Sequence, residues 1–235
     1  MLEIESPVEQ PTFQPKVVDL REPIRTHELM PHIQIAGNQL AAQLWLEMLG
    51  RTQKTGLEYG VIVSSHRGKL LTSGIFEGMG ESPNYDSEKK STHPPRIFTP
   101  TFPHGIRSLS PWIHELAYVH SHPMPANLDR FPTSIISGGD AQTFLNLTFR
   151  AFAAIDRGGA HMLIKENVAR DYRDFDPEKI EESVFKTAGG NSKLLAEARR
   201  EMAKALMQYG THYYFSEALT PDENGFIQFT DASRI

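Results

Sequence analysis

Two histidines stand two residues apart in the run Tyr118-Val119-His120-Ser121-His122-Pro123, and Ser137-Gly138-Gly139-Asp140 follows downstream. The stretch 115–122 (ELAYVHSH) reads as a core strand. Side chains alternate faces along a strand, so His120 and His122 project to one side and Ser121 to the other. Two imidazoles about 6–7 Å apart along one strand can meet a single small ion. Pro123 then ends the strand and releases the chain into a loop. Asp140 falls where a helix begins (AQTFLNLTF), and its carboxylate could supply a third ligand. Three protein ligands with a fourth position left for water is the pattern of catalytic rather than structural zinc. Zinc accepts two nitrogens and an oxygen, and the chain has no cysteine to compete for it.

A bare His-x-His pair is more often chance than a metal site, so each neighbouring residue is weighed against its bland alternative. His114 and His161 read as exposed or internally satisfied histidines. His66 reads as a solvated turn residue, and His93 and His104 as solvated residues of a Pro-rich stretch. The run Tyr213-Tyr214-Phe215 reads as core rather than a binding platform. Gly189-Gly190 reads as a break between helices, not as a diglycine tail.

The pattern resembles the JAMM/MPN (JAB domain) zinc metalloproteases, and in particular their prokaryotic deubiquitinase-like members. The family's motif is an upstream Glu, then His-Ser/Thr-His-Pro, then Ser-x-x-Asp. Its two histidines fall on His120 and His122, and its Ser-x-x-Asp on Ser137 to Asp140. Its Glu, at the start of a strand, falls on Glu58 in Leu57-Glu58-Tyr59-Gly60-Val61-Ile62-Val63. The resemblance spans about 30–166, and no family motif lies beyond 170. The spacer 123–136 is longer than the family's, and Thr133, a poor ligand, occupies the usual ligand position. A loop insertion accounts for this, since doubling a loop costs only about 0.6 kcal/mol. Ser134 and Asp129 are the rivals to Ser137 and Asp140, but only Ser137 keeps the x-x-Asp spacing.

The resemblance implies one zinc per chain on His120, His122 and Asp140, with catalytic roles for Glu58 and Ser137. Glu58 would be general base and acid towards a zinc-activated water. The Ser137 hydroxyl would join zinc in stabilising the oxyanion. Glu115 is the rival base, but its odd number on the strand of His120 places it on the opposite face. The implied reaction cleaves an isopeptide or peptide bond after the C-terminus of a ubiquitin-like modifier, in deconjugation or precursor processing. Its partners would be a ubiquitin-like protein or its conjugate, and E1-like or E2-like proteins of the same system. The competing functions are a non-catalytic MPN-type scaffold and a JAMM-like amidohydrolase acting on another substrate. The stretches 79–111 and 123–136 flank the motif and are the expected substrate contacts.

The elements that must position these residues follow from hydropathy patterning. A chain of 235 residues with 39% hydrophobic content supports one substantial core. A net charge of -5 leaves no basic footprint for nucleic acid. No run approaches the roughly 20 apolar residues of a membrane helix. The acidic, Pro-containing start MLEIESPVEQPTFQP lacks a signal peptide's basic and apolar regions, so a cytoplasmic protein is expected.

Residues 1–26 read as an N-terminal arm with a short strand near Lys16-Val17-Val18. Ile33, Leu40, Leu44 and Met48 recur at helical spacing and predict a helix over 30–50, stopped by Gly50. Strands are expected over 58–65 and 69–77, joined by His66-Arg67-Gly68. The stretch 79–111, with six prolines, reads as a long surface insertion. Further strands are expected at 150–156 and 160–166 around a Gly158-Gly159 turn. Asp176-Pro177-Glu178 opens a helix to about 187, a second helix spans 192–209, and 212–230 reads as a hairpin. The class is α/β (α+β), a mixed β-sheet flanked by helices. The resemblance narrows this to an MPN/cytidine-deaminase-like core over 27–170, with a helical extension and β-hairpin over 171–235 packed on it.

Overall fold

A computed structural model describes residues 14–25, 28–78, 113–122, 135–166, 172–188 and 195–235. The stretch 79–111 and the rivals Asp129 and Ser134 therefore lie outside the described residues, as do Thr133, His93, His104 and Gly189-Gly190.

The strands are β1 (Lys16–Val17), β2 (His32–Ala36), β3 (Tyr59–His66), β4 (Lys69–Thr72), β5 (Phe76–Glu77), β6 (Ile113–Ser121), β7 (Ala151–Asp156), β8 (Gly159–Lys165), β9 (Thr211–Ser216) and β10 (Phe226–Asp231). The helices are α1 (Trp45–Thr55), α2 (Gly138–Asn146), α3 (Pro177–Ala188) and α4 (Leu195–Met207). All ten strands join one sheet in the order β1-β2-β10-β9-β8-β7-β6-β3-β4, with β5 also on β3. β1–β2 and β6–β7 are parallel, and the remaining pairs are antiparallel. The expected mixed sheet with flanking helices is present.

Each face of the sheet is apolar and carries its own helices. On one face Val61, Val63, Ala117, Val119, Ala153 and Met162 pack with Trp45, Met48 and Leu49 of α1. On the other, Ile62, Tyr118, Phe152, Ala154 and Leu163 pack with Phe144 of α2, Val184 of α3 and Met202 and Leu206 of α4. Central strands buried on both faces explain why 150–156 reads as a continuous apolar run instead of an alternating one.

The helix expected over 30–50 is not formed as such. Residues 32–36 are a strand with alternating burial, paired antiparallel to β10 from Phe226↔Ala36 to Thr230↔His32. Ile33 and Ile35 are β-branched and fit that pleated surface. Two short 3-10 turns, Gly37–Leu40 and Ala42–Leu44, lead into α1. The helical spacing from Ile33 to Leu40 was thus a coincidence across two elements. Gly50 does not stop α1, which continues to Thr55 and ends at Gly56 in the left-handed region (φ 73°).

Residues 171–235 contribute two strands to the common sheet as well as two helices. β10 lies between β2 and β9, so the last strand ties the N-terminal strands to the rest of the sheet. The hairpin expected over 212–230 is present as β9–β10. The β7–β8 turn falls on Arg157-Gly158, and Gly159 already belongs to β8. A Cβ at Gly159 would meet the Ser216 carbonyl oxygen, and its φ of 142° suits glycine alone. Among the described residues no helix is long and apolar enough to cross a membrane.

Candidate metal centre

β6 places its histidines as the strand period requires. His120 lies within the strand and His122 just past its end, and their Nε2 atoms stand 2.9 Å apart. His120 is buried between the Tyr118 ring, stacked at 5.5 Å and 11°, and the Phe152 ring at 5.0 Å. The His122 backbone N–H donates to the Ile155 carbonyl, which carries the β6–β7 ladder one step beyond the strand. Ser121 points to the opposite face, as expected.

α2 brings Asp140 to the same point. Ser137 is the N-cap: its hydroxyl oxygen accepts the Asp140 N–H at 2.9 Å, and the Ser137 N–H donates to Asp140 Oδ2 at 3.1 Å. This reciprocal capping box satisfies two N-terminal groups of the helix and fixes the carboxylate. Asp140 Oδ1 lies 3.2 Å from His120 Nε2, and Oδ2 lies 3.1 Å from His122 Nε2. Ligands about 2.0–2.1 Å from a tetrahedral zinc stand about 3.3 Å from one another. The three donors are therefore slightly closer together than a zinc shell would hold them, and a small outward movement would accommodate the ion.

Glu58 completes the group. It immediately precedes β3, and its carboxylate lies within 4.8 Å of the ring nitrogens of His120 and His122. Its backbone carbonyl accepts the Gly78 N–H at 2.7 Å. A second anchor comes from Ser121, whose hydroxyl oxygen accepts the N–H of Tyr59 at 3.0 Å and also contacts Thr52 Oγ1 of α1 at 2.5 Å. The residue between the histidines thus pins the backbone beside Glu58. The sequence places Ser121 on the far face but gives no sign of this partner, which comes from the β3–β6 register Gly60↔His120.

The electrostatics follow from crowding four titratable groups together, with His120 buried and Glu58, His122 and Asp140 partly buried. Burial raises the Glu58 pKa; His120 and His122 oppose this, and Asp140 reinforces it. Burial alone would lower His122, but the charge and hydrogen bond of Asp140, helped by Glu58, lift it to about 9. Asp140 is resisted by its own burial, yet the two imidazoles hold it well below the usual carboxylate range. Without a metal, the Asp140 carboxylate favours the protonated form of His122. A metal would displace that proton, because ligands bind in deprotonated form and binding releases protons. A partly buried site with two imidazoles, a carboxylate and a neighbouring carboxyl thus fits a divalent cation. One feature departs from the usual outer shell: His120 Nδ1 is buried with no hydrogen-bond partner among the described residues, where ligating histidines commonly donate to one.

Glu58, His120, His122, Ser137 and Asp140 are therefore brought together. Glu115 is not. The β3–β6 ladder shifts register between Val63 and Ser64, and consecutive Leu116 and Ala117 both pack into one core. Alternation fails across such a bulge, so parity does not decide the face of Glu115. Its carboxylate instead accepts the Thr148 hydroxyl at 2.5 Å, at the far end of the strand. His114 is exposed, and His161 is fully buried with partners of its own.

Comparison with family models, with curated proteins and with solved structures found no match.

Proposed function

We propose that this chain is a zinc-dependent hydrolase of the JAMM/MPN type that cleaves an isopeptide or peptide bond after the C-terminus of a ubiquitin-like modifier. The observation that carries the reading is the convergence of His120 Nε2, His122 Nε2 and the Asp140 carboxylate within 2.9–3.2 Å of one another, with Glu58 alongside. The mixed sheet with helices on both faces is compatible with an MPN-type core. A zinc ion held on His120, His122 and Asp140 would supply Lewis acidity and make a coordinated water acidic near pH 7.

The chain's own residues supply the remaining work. Glu58, with its pKa raised by burial, is suited to take a proton from the attacking water and return it to the leaving amine. Ser137 donates its hydroxyl to Asp140 Oδ2 at 2.7 Å, so its first task is to orient that carboxylate. A hydroxyl in that position can then turn towards an oxyanion as charge develops. Tyr118 and Phe152 exclude water from one side of His120.

Purified protein should hold close to one zinc per chain by elemental analysis, and His120→Ala together with His122→Ala should abolish it. The parent should also cleave a fusion of a ubiquitin-like protein to a reporter at the modifier's C-terminus. Full zinc content in the double variant would overturn the ligand assignment. Zinc binding with no cleavage of any such fusion would favour a scaffold or a different amide substrate.

A further inference from the structure

Ser121 lies between the two candidate ligands yet does not face them. Its hydroxyl is buried on the other side of the sheet, against Thr52 of α1 and the backbone of Tyr59. The β3–β6 register ends at Gly60↔His120, while Ser121 itself pairs with Ile155 of β7. The main-chain ladder from β6 therefore stops one residue short of Tyr59, at the point where the chain arrives from Glu58. The Ser121 hydroxyl takes its place. Its oxygen accepts the Tyr59 N–H at 3.0 Å, it donates to the Tyr59 carbonyl at 3.2 Å, and it meets Thr52 Oγ1 at 2.5 Å. One donor and two acceptor positions on a hydroxyl match these three contacts.

The link from α1 to β3 is short and is tied along its length. The Gly56 N–H donates to the Thr52 carbonyl at 2.8 Å, and the Leu57 N–H to Thr55 Oγ1 at 3.1 Å. The Glu58 carbonyl accepts the Gly78 N–H at 2.7 Å. Thr52 thus acts at both ends of the link, through its carbonyl at Gly56 and through its hydroxyl and Ser121 at Tyr59. Without the Ser121 hydroxyl the buried Tyr59 N–H would lose its acceptor. A buried donor left unsatisfied is costly, so the backbone would shift to find another partner and Glu58 would shift with it.

We propose that Ser121 and Thr52 are positioning residues for Glu58: their buried hydroxyl pair holds the backbone of Tyr59 and so sets where the Glu58 carboxyl stands beside the metal centre. The inference rests on Glu58 being the proton-transfer group of the function proposed above. It gives α1 a part in the site, although no residue of that helix reaches the metal.

Ser121→Ala is the variant to test, because it deletes the hydroxyl on the face turned away from His120, His122 and Asp140. Zinc content should match the parent. In metal-free protein, hydrogen exchange at the Tyr59 amide should quicken by about tenfold or more, as that amide opens more easily. For a fusion of a ubiquitin-like protein to a reporter, kcat should fall by about 10–100-fold with KM unchanged, the scale set by a small misplacement of a reacting group. The same substitution made in Glu58→Gln should cost little further, since residues that act through one another are not additive. Thr52→Val keeps the shape and removes the hydroxyl, and should follow Ser121→Ala in direction. Thr52→Ser keeps the hydroxyl and should stay close to the parent. If Ser121→Ala does not fold, the Thr52 pair carries the test. Parent-like exchange at Tyr59 in the folded variant overturns the proposal, as does parent-like kcat. So does a loss as large in Glu58→Gln as in the parent, which would mean that the hydroxyl serves the fold and not Glu58. A parent that cleaves no such fusion defeats the proposed function instead, while exchange at Tyr59 still decides whether the hydroxyl pair holds the chain beside Glu58.

Discussion

Glu58 differs from its neighbours in the cluster by what it is free to do. Asp140 is tied by a capping box and faces two imidazoles, whereas Glu58 is held through its backbone and lies beside the rings. A carboxyl whose pKa is raised by burial and that stands beside the proposed metal site is suited to relay a proton. Glu58→Gln keeps size and polarity and removes the basic oxygen. Zinc content and thermal stability should therefore match the parent, while turnover of the modifier fusion falls by about 10²–10⁴-fold. This contrasts with His122→Ala, which should lose metal and activity together. Parent-like turnover in Glu58→Gln would place the proton-transfer group elsewhere; loss of zinc would make Glu58 a ligand.

At the scale of the element, α2 is a helix whose first turn doubles as part of the site. Its N-cap and its third residue, Ser137 and Asp140, are the same residues that would serve the metal. Ser137→Ala should cost about 1 kcal/mol in metal-free protein, the usual worth of an N-cap, read by urea unfolding. A cost below about 0.3 kcal/mol would mean that the cap contributes nothing to the fold. This also explains what the sequence could reveal. The His-x-His pair and Ser-x-x-Asp are legible because each obeys a local geometry, the period of two in a strand and the first turn of a helix. Glu58 is legible only through its resemblance to a motif, since the β3–β6 register that brings it close is a long-range fact. The register also hides the links between Ser121 and Tyr59 and between His161 and Tyr213. Two local rules misled where tertiary structure intervened: helical spacing that crossed from β2 into the following turns, and alternation that broke at Leu116.

For the whole molecule, the order of the sheet decides what can be removed. β8 pairs with β9 from Ala160↔Ser216 to Lys165↔Thr211, and among the described residues β2 reaches the rest of the sheet only through β10. A chain ending at Glu166 would therefore bare a central strand along six ladder positions and detach β1 and β2. It would also strip the face behind His120 of Val184, Met202, Leu206 and Tyr213. Burying each such side chain is worth about 1.5–3 kcal/mol, against a net stability of about 5–15 kcal/mol for a typical domain. Four of these losses, with the unpaired strand, are enough to consume that margin. The truncated chain should show no cooperative thermal transition and no fixed near-ultraviolet circular dichroism from its aromatic residues. It should also fail to retain zinc, although all of the proposed ligands lie within it. Cooperative unfolding of the truncated chain, with one zinc bound, would show that the residues up to Glu166 fold by themselves and that the last strands are an accessory layer on a core already complete.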